Sequence, residues 1–188
     1  MSAPNADRIL FWDDSAGAVT WLTVGSGLTI TGTTINASGG GSSPKYVRLS
    51  ADRTSSSTSL ADVTDMSVSI EASKVYRLTA FIRYKSSGAT EAIGLAINGP
   101  ASPTSVEAGI LVTGYTGVYR SEHTSGYDAA VIGVSSTTTS MLATIDALVV
   151  NGTNAGTLAI RFKSETGGAN SVTVEAGSWL TLTEVVAP

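Results

Sequence analysis

The chain holds few residues that could do covalent chemistry. It has one histidine, His123, and no cysteine. Any serine–histidine–carboxylate arrangement must pass through His123, which sits in Arg120-Ser121-Glu122-His123-Thr124-Ser125-Gly126 with no Gly-x-Ser-x-Gly elbow nearby. That setting reads as a solvated loop histidine. One histidine without thiolates also falls short of a zinc ligand set, and no disulfide can brace the fold. The pair Asp13-Asp14 has the residue type for calcium or for glycoside hydrolysis. Neighbouring strand residues point to opposite faces, however, so the two carboxylates do not converge on one atom. Within Asp-Asp-Ser-Ala-Gly they read as turn residues bonded to their own backbone. The expectation is a protein without catalytic residues, metal or cofactor.

The aromatic residues are the better candidates for recognition. Phe11, Trp12 and Trp21 lie close together near the N-terminus. They could make a sugar platform, but contact with a partner chain is the more economical reading, because exposed aromatic clusters are a liability in a monomer. Tyr115, Tyr119 and Tyr127 flank the segment 116–128, which reads as the longest loop of the C-terminal part. Tyrosines beside Ser, Gly and Asp are what a carbohydrate- or protein-binding loop uses, and they are also ordinary strand-end residues.

The elements that position these residues divide at Gly39-Gly40-Gly41-Ser42-Ser43-Pro44. Three glycines and a proline cannot build a core element. The expected plan is an attachment module at 1–38, a joint at 39–44 and a β-domain at 45–188. In the module, Asp7–Trp12 and Ala18–Val24 are apolar runs separated by an Asp/Ser/Gly turn, which predicts a hairpin. Leu28–Ile35 alternates around Gly32 as a further strand pair would. About 30 residues cannot bury three large aromatics internally, since domains below roughly 40 residues rarely stand alone. Ile9, Phe11, Trp12, Trp21, Leu22, Leu28 and Ile30 are therefore the candidate attachment or subunit-interface residues.

Beyond the joint, strands are expected at Lys45–Leu49, Met66–Ile70, Val75–Tyr84, Ala92–Ile97, Gly109–Tyr115, Ala129–Val134, Ser140–Val150, Thr157–Phe162, Val172–Val174 and Trp179–Val185. Ser50–Ser59 reads as a polar loop. Asn151-Gly152 reads as a hairpin turn, because both residues tolerate positive φ. No stretch meets the 3.6-residue test for a helix. About eight to ten strands with turns every 8–12 residues predict an all-β protein with an antiparallel sandwich or jelly roll.

Asp7-Arg8-Ile9-Leu10-Phe11-Trp12-Asp13-Asp14-Ser15-Ala16-Gly17-Ala18, followed by Trp21-Leu22 and Gly25–Ile35, resembles a segment of tail-fibre and other virion-surface proteins of tailed bacteriophages. The blocks Ser59–Thr64, Ala72–Leu78 and Gly177–Leu182 are similar to the jelly-roll heads of phage decoration and fibre proteins, themselves like TNF-like knobs. The resemblance implies a homotrimer on the virion surface. Its partners would be the major capsid protein or a tail or baseplate protein, with a host surface glycan as a further candidate. Decoration of the capsid is the first reading and a receptor-binding tail fibre the second.

Composition agrees with such a role and excludes others. Charged residues are 14% of the chain against about 25% in typical domains. Mean hydropathy is +0.20, high enough to suggest apolar surface buried between subunits. A net charge of -4 argues against nucleic-acid binding, which concentrates Lys and Arg against phosphates. The first residues lack a basic, apolar leader, and no apolar run reaches the roughly 20 residues of a membrane span. The protein is expected to be made in a host cytoplasm and to remain soluble.

Overall fold

Alternating side chains with a half-wet face build antiparallel sheets, and the chain forms almost nothing else. A computed structural model of the protein describes residues 8–22, 28–37, 43–134 and 137–185. These residues carry sixteen strands and a single 3₁₀ turn. The protein is all-β, with antiparallel sheets stacked as a sandwich. It divides into two compact units, 1–41 and 42–188. Residues 39–42 of the glycine-rich joint lie outside the described residues, as do Gly25, Ser26 and Gly27.

The N-terminal unit contains two hairpins. In the first, β1 (Ile9–Asp13) pairs with β2 (Ala18–Leu22). In the second, β3 (Leu28–Thr31) pairs with β4 (Thr34–Ala37) across the two-residue turn Gly32-Thr33. Gly32 takes φ 59, the left-handed conformation that such a turn demands of its first residue.

The C-terminal unit, the head, is a sandwich of an eight-stranded and a four-stranded sheet. Its strands are β5 (Lys45–Arg48), β6 (Arg53–Ser55), β7 (Ala61–Ile70), β8 (Val75–Ser86), β9 (Ile93–Asn98), β10 (Ser105–Thr113), β11 (Tyr119–Ser125), β12 (Val131–Ile132), β13 (Met141–Val150), β14 (Gly156–Ser164), β15 (Val172–Val174) and β16 (Trp179–Glu184). The larger sheet runs β11-β10-β13-β8, and β8 is the strand around which it is organised. One side of β8 pairs with β13 over its length. Its other side pairs with β16 from Tyr76 to Phe81 and with β15 from Tyr84 to Ser86. The sheet closes with β5 on β16 and β6 on β15. The smaller sheet is β12-β9-β14-β7.

Alternation puts Tyr76, Leu78, Ala80, Ile82 and Tyr84 of β8 into the core and leaves Arg77, Thr79, Phe81, Arg83 and Lys85 outside. The inner residues meet Val63, Met66, Val68 and Ile70 of β7 and Leu158, Ile160 and Phe162 of β14 in one continuous apolar core. Each fully buried Leu or Ile contributes about 1.5–3 kcal/mol of transfer free energy.

Three expectations are corrected. The segment 116–128 is not a long loop: its centre is β11, an edge strand paired residue for residue with β10. Its Ser, Thr, Arg, Glu and His side chains lack an apolar face, so the pattern gave no strand signal. The polar run 50–59 likewise contains β6, which holds its place by pairing with β15. Asn151-Gly152 is not a hairpin turn, because β13 and β14 lie in different sheets. Neither residue has positive φ. Asn151 is buried instead, donating to the carbonyls of Glu71 at 2.7 Å and Asn154 at 2.9 Å. Gly152 is there because a Cβ would lie 2.1 Å from the carbonyl oxygen of Ser102.

Candidate functional site

Two surfaces have the character of contact sites, one on each unit. In the first hairpin the cross-strand pairs Leu10–Trp21 and Trp12–Val19 share one face, while Ile9–Leu22 and Phe11–Thr20 share the other. The expected attachment set is therefore split between two faces. Trp12 and Trp21 are on one face, and Phe11, Ile9 and Leu22 are on the other. Trp12 is 59% exposed, and Leu10, Phe11, Val19 and Leu22 are exposed as well. In the second hairpin Ile30 faces Ile35, and both Leu28 and Ile35 are exposed. Leu10, Val19 and Ile35 were not among the residues expected from sequence, although the two-residue period places them beside those that were. No described residue of this unit is buried.

Local polar bonds set the shape of the first hairpin. Asp13 Oδ1 accepts from the Ser15 hydroxyl at 2.6 Å and from the amides of Ser15 and Ala16 at 3.0 and 3.3 Å. The Ser15 hydroxyl, with these amides, holds the Asp13 carboxyl below its ordinary value. Asp14 Oδ1 accepts from Trp12 Nε1 at 3.2 Å. The carboxylates therefore act as turn residues. Trp21 Nε1 is closed off from solvent and has no partner among the described residues.

The second surface surrounds the 3₁₀ turn Tyr115–Gly117 between β10 and β11. The amide of Gly114 donates to the carbonyl of Val118 at 2.6 Å and closes the loop. Beneath it, the buried Tyr84 hydroxyl donates to the carbonyl of Thr113, and burial pushes the Tyr84 phenol well up. Thr113 Oγ1 donates to the carbonyl of Leu142 at 2.7 Å and accepts from its amide at 3.2 Å, fixing the turn to β13. Two clefts flank this braced turn. One, about 240 Å³, is lined by Leu111, Thr113, Gly117, Val118 and Tyr119. The other, about 330 Å³, lies against Thr113, Tyr115, Thr137, Thr139, Ser140 and Leu142.

Tyr115 is 57% exposed and Tyr119 is 66% exposed at these clefts. Tyr127 is not with them. It is half-buried against the core, with its hydroxyl lying where a Cβ on Gly99 would be, 2.4 Å away. Burial raises its phenol to about 12, and the hydroxyl has no hydrogen-bond partner among the described residues. Its spacing from Tyr119 suggested a shared loop, but the intervening strand carries it to the other end of β11.

A third cavity of about 340 Å³ opens over Gly109 between the Arg77–Asp146 ion pair and the Glu107–His123 contact. Arg77 binds Asp146 in bidentate fashion at 3.0 and 2.6 Å. That bond holds the Asp146 carboxyl below its usual range and raises the guanidinium. On the other side Glu107 Oε2 meets His123 Nε2 at 2.8 Å and accepts from the Ser125 hydroxyl at 2.8 Å. The carboxylate, not the imidazole, holds the serine hydroxyl, which is the wrong order for drawing a proton from it. Among the described residues no three acidic or histidine side chains are grouped to hold a metal.

No protein family and no curated protein matches the chain. Solved structures similar to it include the VP2 subviral particle of infectious bursal disease virus, at 11% identity and a TM-score of 0.22 over 87% of this chain. VP2 of the same virus in derived T=1 particles, as a point mutant, is similar at 10% identity and a TM-score of 0.21 over 98% of this chain. The chain spans less than half the length of these VP2 chains, 44% and 46%. At that level its function rests on its own residues.

Proposed function

We propose that the chain is a structural protein of a virion surface, docked through its N-terminal unit and projecting the head. The observation that carries this reading is the N-terminal unit itself: two short hairpins with Leu10, Phe11, Trp12, Val19, Leu22, Leu28 and Ile35 exposed and no described side chain buried. A unit of this kind is completed by a surface it binds. In the finer reading, which the resemblance to phage fibre and decoration proteins supports, the protein is a homotrimer that clamps capsid subunits. The outer face of the larger sheet exposes Leu148 and Trp179, with Trp179 stacked on Phe81 at 6.1 Å, and supplies apolar area for contacts between heads. Closed three-fold symmetry would use one such patch on every protomer.

Sedimentation of the purified chain as a monomer near 19 kDa at micromolar concentration refutes the trimer. Deletion of residues 1–38 is expected to abolish incorporation into particles. Particles lacking the protein are expected to open at lower temperature, since a ligand of the assembled state stabilises it in proportion to occupancy.

A second reading, a receptor-binding fibre tip, is favoured by where the clefts lie. The head begins at Lys45, whose register partners are Leu182 and then Leu78 on β8. The clefts lie level with Leu142 and Arg83. Five residues of β8 separate the two levels, roughly 16 Å along the strand, so the clefts are at the far end of the sheet from the entry of the chain. Competition between purified protein and particles for host cells supports this reading, and labelling on capsids in electron micrographs supports decoration.

A further inference from the structure

We propose that the two clefts beside the Tyr115–Gly117 turn form one binding site for an uncharged saccharide. The clefts share Thr113 and lie on either side of a turn held by three backbone-directed bonds, so their relative placement is fixed. Their sizes, about 240 and 330 Å³, suit shallow seats for successive small rings rather than one enveloped ligand.

The lining decides the chemistry. Among the described residues, neither cleft is lined by an Asp, Glu, Lys, Arg or His side chain. A phosphate, carboxylate or ammonium group would find no counter-charge there, and desolvating it would be unfavourable. The lining is instead aromatic, aliphatic and hydroxylic. The Tyr119 hydroxyl makes no hydrogen bond among the described residues, and its ring stands out beside Leu111 and Val118. Across the turn Thr137, Thr139 and Ser140 line the wall next to Tyr115. A ligand with flat C–H faces and many neutral hydroxyls answers both parts. Tyrosine supplies a rigid apolar face at low entropic cost, and the small hydroxyl side chains adapt to donors and acceptors.

The cavity over Gly109 offers the contrast. Arg77 is already matched by Asp146, and His123 lies against the Glu107 carboxylate, so among the described lining residues no cation is left for an anion. The uncharged clefts are also at the end of the sheet away from Lys45, open to a ligand presented from outside. Sugar binding in solution does not depend on what the N-terminal unit docks to. Its failure therefore leaves the virion reading standing, and loss of docking leaves the sugar site standing.

The test is amide-resolved NMR on the full-length protein, titrated with gluco-, manno- and galacto-configured neutral tetrasaccharides, with tetragalacturonate as the anionic counterpart. At least one neutral sugar is expected to shift the amides of Gly114, Val118 and Ser140 saturably at millimolar concentration, with the anionic sugar much weaker. Tyr119→Ala is expected to weaken binding about tenfold, as loss of one aromatic face does. Tyr119→Phe keeps the face and is expected to stay within about threefold. Tyr46→Ala, 75% exposed but near the entry of the chain, is expected to change nothing. The proposal is overturned if none of the neutral sugars shifts these amides at tens of millimolar, or if tetragalacturonate binds there equally well. Tighter binding of an apolar peptide at the same amides also overturns it.

Discussion

Replacing Glu91 with Gln tests whether buried polar bonds hold the head together. Glu91 is fully buried, in the segment between β8 and β9. Its Oε1 accepts from the Ser164 hydroxyl at 2.6 Å and from the amides of Glu165 and Thr166 at 2.7 and 3.2 Å, and its Oε2 accepts from the Thr166 hydroxyl. One carboxylate thus ties the β8–β9 connection to the end of β14. Glutamine keeps the shape and can keep the Oε1 bonds, but loses the charge that strengthens them. The expected cost at neutral pH is about 1–2 kcal/mol, the difference between charge-assisted and neutral bonds. Alanine would leave two amides and two hydroxyls without their acceptor and cost about 3–5 kcal/mol, a large share of a domain's stability. The sign with pH follows from the carboxyl. Burial, the largest single influence, pushes its pKa up, yet the bonds from Ser164, Thr166 and Glu165 together hold it below the ordinary 4.5. A group depressed on folding contributes fully above its unfolded value and loses that contribution as pH falls through the folded one. Urea unfolding followed by circular dichroism should show a smaller gap between wild type and Glu91→Gln at a pH well below 4.5 than at pH 7. Other carboxylates, Asp146 among them, titrate in both proteins and cancel in the difference. A gap unchanged between the two pH values refutes the reasoning, as does the absence of any gap at pH 7.

Gly152→Ala should destabilise the head by about 2–4 kcal/mol, because the new methyl meets the Ser102 carbonyl of a neighbouring backbone that cannot rotate away. Gly109→Ala has only the Asp146 carbonyl oxygen at 3.9 Å and should be within about 0.5 kcal/mol of wild type in the same denaturation assay. Trp12→Ala should weaken docking by about 2–4 kcal/mol in particle-binding assays and leave the melting temperature of the head unchanged. Loss of head melting in that variant would mean the two units fold as one. Tyr127→Phe removes a buried hydroxyl without a partner, so thermal melts should show equal or slightly higher stability, by up to about 1 kcal/mol.

The legible parts of the fold were those where burial writes itself into a two-residue period. Tyr76, Leu78, Ala80 and Ile82 alternate with Arg77, Thr79 and Arg83, and β8 could be read directly, as could Met66, Val68 and Ile70 of β7. β11 and β6 are held by pairing with a neighbour, and their mostly polar side chains carry no comparable pattern. Asn-Gly misled because both residues serve contacts distant in sequence, Asn151 with Glu71 and Gly152 with Ser102. For recognition, the exposed N-terminal aromatics followed from the smallness of their unit. The head clefts were only half legible: Tyr115 and Tyr119 stood out, but Thr137, Thr139 and Ser140 join them only through the pairing of β10 with β13.

The first and last strands of the head are neighbours, β5 lying on β16 with Lys45 opposite Leu182 and Arg48 opposite Trp179. Beyond β5 the ladder continues through Leu49, whose amide donates to Ser178 and whose carbonyl accepts from Gly177, both at 2.8 Å. That arrangement gives the head a mechanical polarity. A pull between the entry at Lys45 and an object held at the clefts runs along β5, drawing it lengthwise past β16. All bonds of the ladder then carry the force together, and rupture requires them to fail at once. A pull between Lys45 and Val185 acts at one end of the same ladder and peels it pair by pair at far lower force. The head is therefore built to resist tension between its two ends and to yield when opened at its base, a difference that force spectroscopy with handles at the two pairs of positions would read directly.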